Sequence, residues 1–312
     1  MKKLLLFALM AVAALSFNAC SKDDNGGETW VDDSPIIEFK DPNFLKAILY
    51  SDGSHEPKID RNSDGQISEK EASLATILSI GNANIRGMDE IDYFTALTVL
   101  SCVSCNLPSL DISKNTALTE LECYYNQLTA LDISNNGALT KLSCGHNQLS
   151  SLNISKNTAL MELDCRNNQL SSLDVSKHTM LEALMCNAND IELLDVSKNT
   201  ALTLLLCYSN QLTTLDVSNN SALRELDCSY NQISSLDLSQ NTALEKLYCS
   251  NNKLTVLDIS KCKNLKFLAC GDGSFGDNRL QSLVVYKYYP DELKTYLDYI
   301  TSKYGDIITY VE

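Results

Sequence analysis

Apolar and polar residues recur along most of the chain with a period of 21 residues. Leucines keep this interval from Leu97 to Leu265, cysteines from Cys102 to Cys270, and asparagines from Asn126 to Asn252. The shared unit is L-x-x-L-x-C-x-x-N-x-L-x-x-L-D-I-S-x-N-x-A. One unit of this size cannot bury its own apolar side chains, so repeats with such a period stack and form a continuous core.

The alternation inside each unit predicts a short β-strand. Leu121 and Cys123 alternate with Glu120 and Glu122, as expected of a strand with one buried face. About ten such strands, stacked at about 4.8 Å, form a parallel sheet roughly 45 Å long. We expect each repeated asparagine to bond backbone groups of the neighbouring coil, because buried polar atoms need hydrogen-bond partners.

The repeat resembles the leucine-rich repeat, L-x-x-L-x-L-x-x-N/C-x-L, with cysteine in place of the third leucine. The resemblance covers residues 75–285, and Cys105 stands at the position that the family fills with Asn or Cys. It implies an α/β repeat solenoid, which is a right-handed coil with a curved parallel β-sheet, capped at both ends by short helical segments. The general layout is similar to that of the internalin-like bacterial proteins.

Segments at both ends of the solenoid predict caps. An N-terminal cap is expected over 37–74 and a C-terminal cap over 286–312, with a degenerate first coil between them at 75–96. The last coil is interrupted by a Gly/Asp-rich insertion at 271–277. Capping residues and apolar spacing predict the cap elements: a helix from Pro42 to Leu49, a helix from Glu69 to Ala75, a helix from Pro290 to about Gly305, and a strand over 306–311.

The N-terminus has the pattern of a targeting segment. Two lysines precede an apolar run at 4–15, which is too short for a stable membrane span and typical of a secretory signal peptide over 1–19. The alternative is an anchor helix that is never cleaved. The residues from Phe17 to Cys20 resemble a relaxed bacterial lipobox, and the acidic residues after Cys20 resemble an export signal of surface lipoproteins. The polar, acidic residues after Cys20 are typical of a flexible tether, which we place at 20–36. The resemblance implies that Cys20 is lipidated and that the protein is an outer-membrane lipoprotein at the cell surface.

The net charge and the cysteines give further information on the class of function and on the core. The formal net charge of −15 argues against nucleic-acid binding, which needs a basic surface, and leaves the lipid anchor as the expected membrane contact. The chain has 12 cysteines, nine of them in the 21-residue column. Disulfides and metal ligands remain alternatives, but the spacing favours small buried thiols in the core. Cys105 and Cys262 lie outside the column.

Residues 60–71 predict a calcium-binding loop in the N-terminal cap. Their sequence, DRNSDGQISEKE, matches D-x-[DN]-x-[DN]-G-x₅-E and resembles EF-hand and dockerin loops. The resemblance implies a structural Ca²⁺ ion. The alternative is a helix N-cap without metal, because Ser68 and Glu71 form a capping-box pattern. The residues that the resemblance assigns as ligands are Asp60, Asn62, Asp64, Gln66, Ser68 and Glu71.

Outward residues of the central strands predict a binding surface. Two middle units are apolar where their neighbours are charged, and an apolar patch with a polar rim is typical of a protein-binding site. Tyrosines beside such a patch are common in hot spots. There are two alternatives: the apolar residues of these two coils have no binding role, or another segment of the chain covers them. The candidate partner-binding residues are Tyr124, Tyr125, Met185, Leu204, Leu206, Tyr208, Tyr230 and Tyr248.

The sequence favours binding over catalysis. It contains no nucleophile–base–orienter set, no phosphate loop and no metal site with an open position. We expect a monomeric surface protein, not an enzyme, that engages an unidentified host or envelope protein through the concave sheet. Two alternatives stay open: glycan capture by the tyrosines, and a purely structural role in the envelope.

Overall fold

The computed structural model describes residues 32–51, 58–271 and 278–312. Within these residues, ten parallel strands form one sheet in the order β1 to β9 and then β11. The strands are β1 Ile77–Gly81, β2 Val99–Val103, β3 Glu120–Glu122, β4 Lys141–Ser143, β5 Glu162–Asp164, β6 Ala183–Met185, β7 Leu204–Leu206, β8 Glu225–Asp227, β9 Lys246–Tyr248, β10 Val256–Asp258, β11 Phe267–Ala269, β12 Ser282–Tyr286 and β13 Ile308–Val311.

Equivalent residues of successive coils lie side by side in this sheet. Leu184 pairs with Leu205, and Leu205 pairs with Leu226, so the strand register is the 21-residue repeat itself. The predicted solenoid with a parallel sheet is therefore confirmed. Because the register never slips, each column of identical residues stays on one face of the sheet.

The repeated leucines and cysteines form the core. Leu121 and Cys123, for example, have no exposed surface. All eleven cysteines of the described residues are free and buried, which confirms the interpretation as core thiols for this part of the chain. Burial raises the pKa of the Cys144 thiol to about 12, because the apolar interior disfavours a thiolate.

The repeated asparagine of each L-x-x-L-x-C-x-x-N segment joins two coils, as predicted. The amide of Asn147 donates to the carbonyls of Cys123 and Cys144, both at 3.0 Å, and its Oδ1 accepts the backbone N–H of Leu128 at 3.0 Å. After the insertion, Asn278 takes the same role, since it donates to Cys249 and Cys270. We call this column the turn asparagines: Asn126, Asn147, Asn168, Asn189, Asn210, Asn231, Asn252 and Asn278.

A second column of asparagines lies in the loop that leads to the next strand. The amide of Asn136 donates to the carbonyls of Ile112 at 3.1 Å and Asn115 at 2.9 Å, both in the preceding coil. We call this column the loop asparagines, and all of its members are fully buried: Asn115, Asn136, Asn157, Asn199, Asn220 and Asn241. The column is interrupted at His178, whose Nε2 bonds a single carbonyl, that of Ile154, at 3.1 Å.

The two cysteines outside the main column occupy asparagine positions. Cys105 stands 21 residues before Asn126, and its Sγ lies 3.5 Å from the carbonyl oxygen of Val103. Cys262 continues the loop asparagines, and its Sγ lies 3.9 Å from the carbonyl oxygen of Leu238. A thiol is a weak donor, so each replaces an amide with a weaker contact to the same kind of acceptor.

Exposed aspartates close the turn between strands. In each unit, the Asp of the Asp-x-Ser segment accepts the backbone N–H of the serine, as Asp216 does from Ser218 at 2.9 Å. Asn153 makes the same contact with Ser155 at 3.1 Å. These hydrogen bonds lower the pKa of Asp216 and of Asp132, because they stabilise the carboxylate. The amide at Asn153 indicates that the turn does not require the charge.

The N-terminal cap contains two short helices, and a 3-10 helix lies beyond it in the first coil. Helix α1 spans Pro42–Ser51 and buries Phe44 and Ile48. Helix α2 spans Glu69–Leu74 and begins with the capping box that Ser68 and Glu71 predict. A 3-10 helix at Asp89–Tyr93 follows the first strand. The helical part of this cap is therefore small.

The C-terminal cap contains a second sheet that the sequence did not predict. Helix α3 spans Asp291–Tyr304, and β13 follows it. The strand order in the second sheet is β10-β12-β13, all parallel. In the other units the residues equivalent to β10 form a loop. Residues Val256–Asp258 form a strand because they can pair with β12. None of the helices that the structure describes is long and apolar enough to cross a membrane.

Substituting His178 by asparagine is expected to stabilise the fold. An amide would restore the second hydrogen bond, to the Asn157 carbonyl, while its oxygen would be as unpartnered as the His178 Nδ1 and the oxygens of the other loop asparagines are. The gain should be about 1 kcal/mol in the free energy of unfolding, measured by urea denaturation. The converse change Asn199→His is the control and should destabilise the protein. A His178→Asn variant no more stable than the wild type would contradict the role given to this column.

Candidate functional site

The open face of the sheet is formed by the first and third residues of each strand. The central residue, such as Leu205, is buried, so its two neighbours project to the opposite side. From β3 to β11 the first column is Glu120, Lys141, Glu162, Ala183, Leu204, Glu225, Lys246 and Phe267, and the third is Glu122, Ser143, Asp164, Met185, Leu206, Asp227, Tyr248 and Ala269. These two columns are the surface that a partner can contact.

Four apolar residues meet at the middle of this face. Ala183 pairs with Leu204 and Met185 pairs with Leu206, so β6 and β7 present a contiguous apolar area that we call the central patch. Its side chains are half-buried rather than fully exposed. The structure therefore brings together three predicted residues, Met185, Leu204 and Leu206, and leaves part of each accessible.

Charged side chains flank the central patch on both sides and are mostly neutralised in pairs. Such partly exposed ion pairs contribute little to stability, about 0–1 kcal/mol each, but they keep the rim polar. The pairs on the open face or beside it are Lys141–Glu122 at 2.7 Å, Arg166–Asp164 at 2.9 Å and Lys246–Glu225 at 2.8 Å.

Gly145 makes room for Arg166. A Cβ at Gly145 would lie 3.1 Å from Cγ of Arg166 and 3.2 Å from Oδ1 of Asp164, which is closer than most side-chain contacts. Burial raises the pKa of Asp164, although the Arg166 guanidinium opposes that shift. On this side of the central patch, the buried Asp164 carboxylate therefore has the Arg166 guanidinium as its ion-pair partner.

Asp227 lies on the other side of the patch and has no such cation. It pairs in register with Leu206 on one side and Tyr248 on the other. Its Oδ1 accepts the backbone N–H of Ser229 at 3.0 Å. Burial raises the pKa of the Asp227 carboxyl, and the nearby Glu225 charge raises it further. Among the described residues, no lysine or arginine forms an ion pair with it.

Tyr248 and Phe267 form an aromatic pair at the C-terminal end of the open face. Their ring centroids are 4.8 Å apart, and Phe267 is 45% exposed. Tyr248 was a predicted partner-binding residue, whereas Phe267 was missed because it lies in the coil that the insertion interrupts. Its position two residues after Leu265 in the repeat was the available signal.

A second aromatic group lies near the N-terminal end of the sheet. Tyr125 stacks on His146 with a centroid distance of 4.1 Å, and Tyr124 contacts the Tyr125 ring edge-on at 5.4 Å. The amide Nδ2 of Asn167 lies 3.3 Å from Nε2 of His146. Burial and the Arg166 charge lower the pKa of His146, which favours the neutral ring.

The predicted tyrosines do not form one surface. Tyr124 and Tyr125 follow β3, whereas Tyr230 follows β8, five strands away or roughly 24 Å along the sheet. Tyr208 is half-buried beside the central patch, and Tyr230 is 57% exposed. The tyrosines thus divide between the two ends and the middle of the face.

A column of left-handed residues follows the strands, and sequence reasoning missed it. The residue two positions after each core cysteine has a φ between 51° and 56°. This conformation costs a non-glycine residue roughly 1–2 kcal/mol. The residue types vary too much for the pattern to be recognised: Ser104, Tyr125, His146, Asn167, Ala188, Ser209, Tyr230 and Asn251.

The predicted calcium loop is ordered by hydrogen bonds to its acidic side chains. Asp60 accepts the backbone N–H groups of Asp64 and Gly65, and Asn62 also accepts that of Asp64. Asp64 in turn accepts the N–H of Gln66. Gly65 has a φ of +79°, which a residue with a side chain rarely adopts. The loop therefore forms a tight turn in which every second residue, Asp60, Asn62 and Asp64, has an oxygen-bearing side chain.

Glu71 closes the loop and caps helix α2 at the same time. Its Oε1 accepts the N–H of Arg61 at 2.8 Å, and its Oε2 accepts the N–H of Ser68 at 3.0 Å. The Ser68 hydroxyl donates to Asp32 and accepts the N–H of Glu71, so it is already engaged. Within the described ranges, no group of three or more His, Cys, Asp or Glu side chains is positioned to hold a metal ion.

The predicted lipidation residue, Cys20, and the whole segment 1–31 lie outside the described residues, as does the insertion at 272–277.

Comparison with known proteins supports the fold. The functional domain of InlJ from Listeria monocytogenes, described as including a cysteine ladder, is 31% identical over 78% of this chain and 62% of its own, with a TM-score of 0.50. Internalin C2 from the same organism is 21% identical over 75% of this chain and 94% of its own, with a TM-score of 0.57. The Arabidopsis receptor kinase HAESA, in complex with the peptide hormone IDA and the co-receptor SERK1, is 24% identical over 70% and 40% of the two chains, with a TM-score of 0.58.

No family model and no curated protein matches the chain. The similar structures are nevertheless consistent with the geometry, and the chain has the leucine-rich repeat fold, a parallel-sheet solenoid of about 11 turns. The chain spans 62% of the InlJ chain that it resembles.

Proposed function

We propose that the protein is a surface-anchored leucine-rich repeat protein that binds a protein partner through the central patch on its open face. The observation that carries this proposal is the juxtaposition of Met185, Leu204 and Leu206 within a charged surround. An apolar centre with a polar rim is the usual composition of a protein-binding site. Elsewhere on the open face, the same two columns carry mainly charged or polar side chains.

The similar structures support a binding role only in general terms. The HAESA complex indicates that a solenoid of this fold can present a surface to a peptide and to a co-receptor. At 24% identity that likeness concerns the fold, so it does not identify a partner for this chain. The InlJ likeness extends to the cysteine ladder and supports an internalin-like layout.

We propose surface anchoring through Cys20 on sequence grounds. The basic start, the short apolar run and the lipobox-like residues before Cys20 support a cleaved signal and a lipid anchor in the outer membrane. A negatively charged body is not attracted to anionic membranes, so the attachment would rest on the acyl chains.

We also propose that the loop at 60–71 binds Ca²⁺ as a structural ion. Its side chains supply hard oxygen donors, and each carboxylate oxygen of Asp60 keeps a lone pair beyond its backbone contact. Asp60, Asn62, Asp64 and Glu71 would hold the ion, with the Gln66 carbonyl and Ser68 at the remaining positions. The ion would neutralise the loop carboxylates and order the cap against the first coil.

A glycan is the second candidate ligand, supported by the stacked Tyr125–His146 pair. Tyr125 is 51% exposed. The Asn167 amide contacts the His146 ring of this pair, and the Arg166–Asp164 ion pair lies in the same coil as Asn167. Aromatic faces next to amide and charged groups suit sugar rings and their hydroxyls. This site is separate from the central patch.

Replacing Leu206 by glutamate should abolish partner binding without unfolding the protein. A charge placed in an apolar contact costs several kcal/mol when desolvated, so affinity should fall by about a hundredfold or more. The matched control is Leu193→Glu, because Leu193 is 70% exposed and lies outside the sheet. Both variants are used as bait against host-cell and envelope extracts, with the melting temperature measured alongside.

The outcome for Leu206 separates the two ligand classes. The wild type and Leu193→Glu should capture the same protein, and Leu206→Glu should not. Equal capture by Leu206→Glu would remove the central patch from the function. Binding on a glycan array that is lost in Tyr125→Ala but kept in Leu206→Glu would instead favour the glycan site.

Chelation of calcium should lower the melting temperature. At a hundredfold excess over its dissociation constant, a ligand that binds only the native state adds about 2.7 kcal/mol to the free energy of unfolding. The variant Asp60→Ala with Glu71→Ala should lose this calcium dependence, and Asp216→Asn, outside the loop, should keep it. A wild-type melting temperature that is the same in calcium and in chelator would refute the calcium proposal.

A further inference from the structure

Asp227 is the one carboxylate in the third column of the open face without an ion-pair partner among the described residues. In the first column Glu120 and Glu162 also lack an ion pair, but both pair in register with Lys141, whereas Asp227 lies between Leu206 and Tyr248. Glu122, Asp164 and Glu225 each contact a lysine or arginine within 2.9 Å. The nearest strand neighbour that could serve Asp227, Lys246, is bound to Glu225 instead. The Asp227 carboxylate accepts the Ser229 N–H at 3.0 Å and is also hydrogen-bonded to the Ser229 side chain.

This arrangement is unfavourable for the isolated chain. Asp227 is half-buried between Leu206 and Tyr248, and Glu225 adds a repulsive charge in the same strand. A partly desolvated carboxylate without a cation costs free energy, and this cost appears as a raised pKa. The charge of Asp227 therefore does not stabilise the fold, and an asparagine at this position could still accept the Ser229 N–H.

The neighbours of Asp227 suit a long cationic side chain. Lysine and arginine combine an apolar stem with a charged head, and they lay the stem on apolar surface. Leu206 and Met185 provide that surface on one side of Asp227. On the other side is Tyr248, an aromatic ring held against Phe267, and a cation is attracted to such a ring within about 6 Å of its centroid.

The overall charge favours the same kind of partner. The formal net charge is −15, so the protein attracts basic partners over long range and repels acidic ones. Beyond its two contacts with Ser229, the Asp227 carboxylate keeps acceptor positions that can receive the forked donors of a guanidinium or the ammonium of a lysine. A metal ion is not suited to this position, because no group of three or more His, Cys, Asp or Glu side chains lies here among the described residues.

We propose that the protein partner presents a lysine or arginine next to an apolar residue, and that Asp227 binds the cationic head while the central patch takes the apolar neighbour. The proposal rests on the proposed function and specifies the chemistry of the partner. The Tyr248 ring would border the cation on the side away from Leu206. Complex formation thus supplies the counter-charge that the free protein lacks.

A library of random 12-residue peptides displayed on phage tests this proposal without knowledge of the partner. The immobilised full chain should select peptides that carry Lys or Arg adjacent to an aliphatic or aromatic residue. Asp227→Asn should bind a selected peptide about tenfold more weakly or worse. Asp216→Asn is the matched control, because it removes the same charge from an exposed turn that tolerates asparagine at 153.

Two further readouts separate binding from a structural role. Asp227→Asn should melt at a higher temperature than the wild type, by roughly 2 °C, because the buried charge is removed. When the basic residue of the selected peptide is replaced by methionine, the wild type and Asp227→Asn should bind it equally, so that the two substitutions are coupled in a double-mutant cycle.

The outcomes distinguish this inference from the proposed function. Selected peptides that lack a basic residue, or that bind Asp227→Asn as well as the wild type, would overturn the cation site, while loss of binding in Leu206→Glu would still support the central patch. Peptides that bind Leu206→Glu as well as the wild type would overturn both. Selection of acidic peptides would also contradict the inference.

Discussion

The structure depends on the need of every buried backbone group for a hydrogen-bond partner in the next coil. A coil of 21 residues has mostly loop backbone, and its carbonyls and N–H groups cannot all pair within short strands. The turn and loop asparagines meet this need, because each amide NH2 donates to two carbonyls, and the oxygen of each turn asparagine also accepts a backbone N–H. Since each amide spans two coils, it also fixes the spacing and the register between them.

The need to stack coils in register fixes the residue type at inward positions and leaves the residue type at outward positions free to vary. The inward leucines, cysteines and asparagines are set by stacking, so they repeat almost without variation. The open face is free of that requirement, and its residues differ from coil to coil. The central patch and Asp227 lie among these free positions, which is why their chemistry is informative about binding: neither the apolar area nor the unpaired carboxylate contributes to the core.

Much of the fold could be predicted from the sequence, because the period places equivalent residues in register. The strands around Leu121, the buried thiols and the role of Asn147 all follow from it. The left-handed column could not be predicted, since that conformation is imposed by the coil and is occupied by residues as different as Tyr125 and Ala188. The lack of a cation beside Asp227 was also hidden, because Lys246 could have paired with either carboxylate of β8 and only the structure assigns it to Glu225.

The most direct test of this account is the reactivity of the thiols. If the coils stack in register, the eleven described cysteines lie in the interior, and burial raises the thiol pKa of column members such as Cys144, Cys165 and Cys207. Mass spectrometry after brief treatment of the native protein with a maleimide should then find these cysteines unmodified, whereas all of them should react after unfolding in guanidinium. Rapid modification of several column cysteines, such as Cys165 and Cys207, in the native protein would contradict the stacked solenoid.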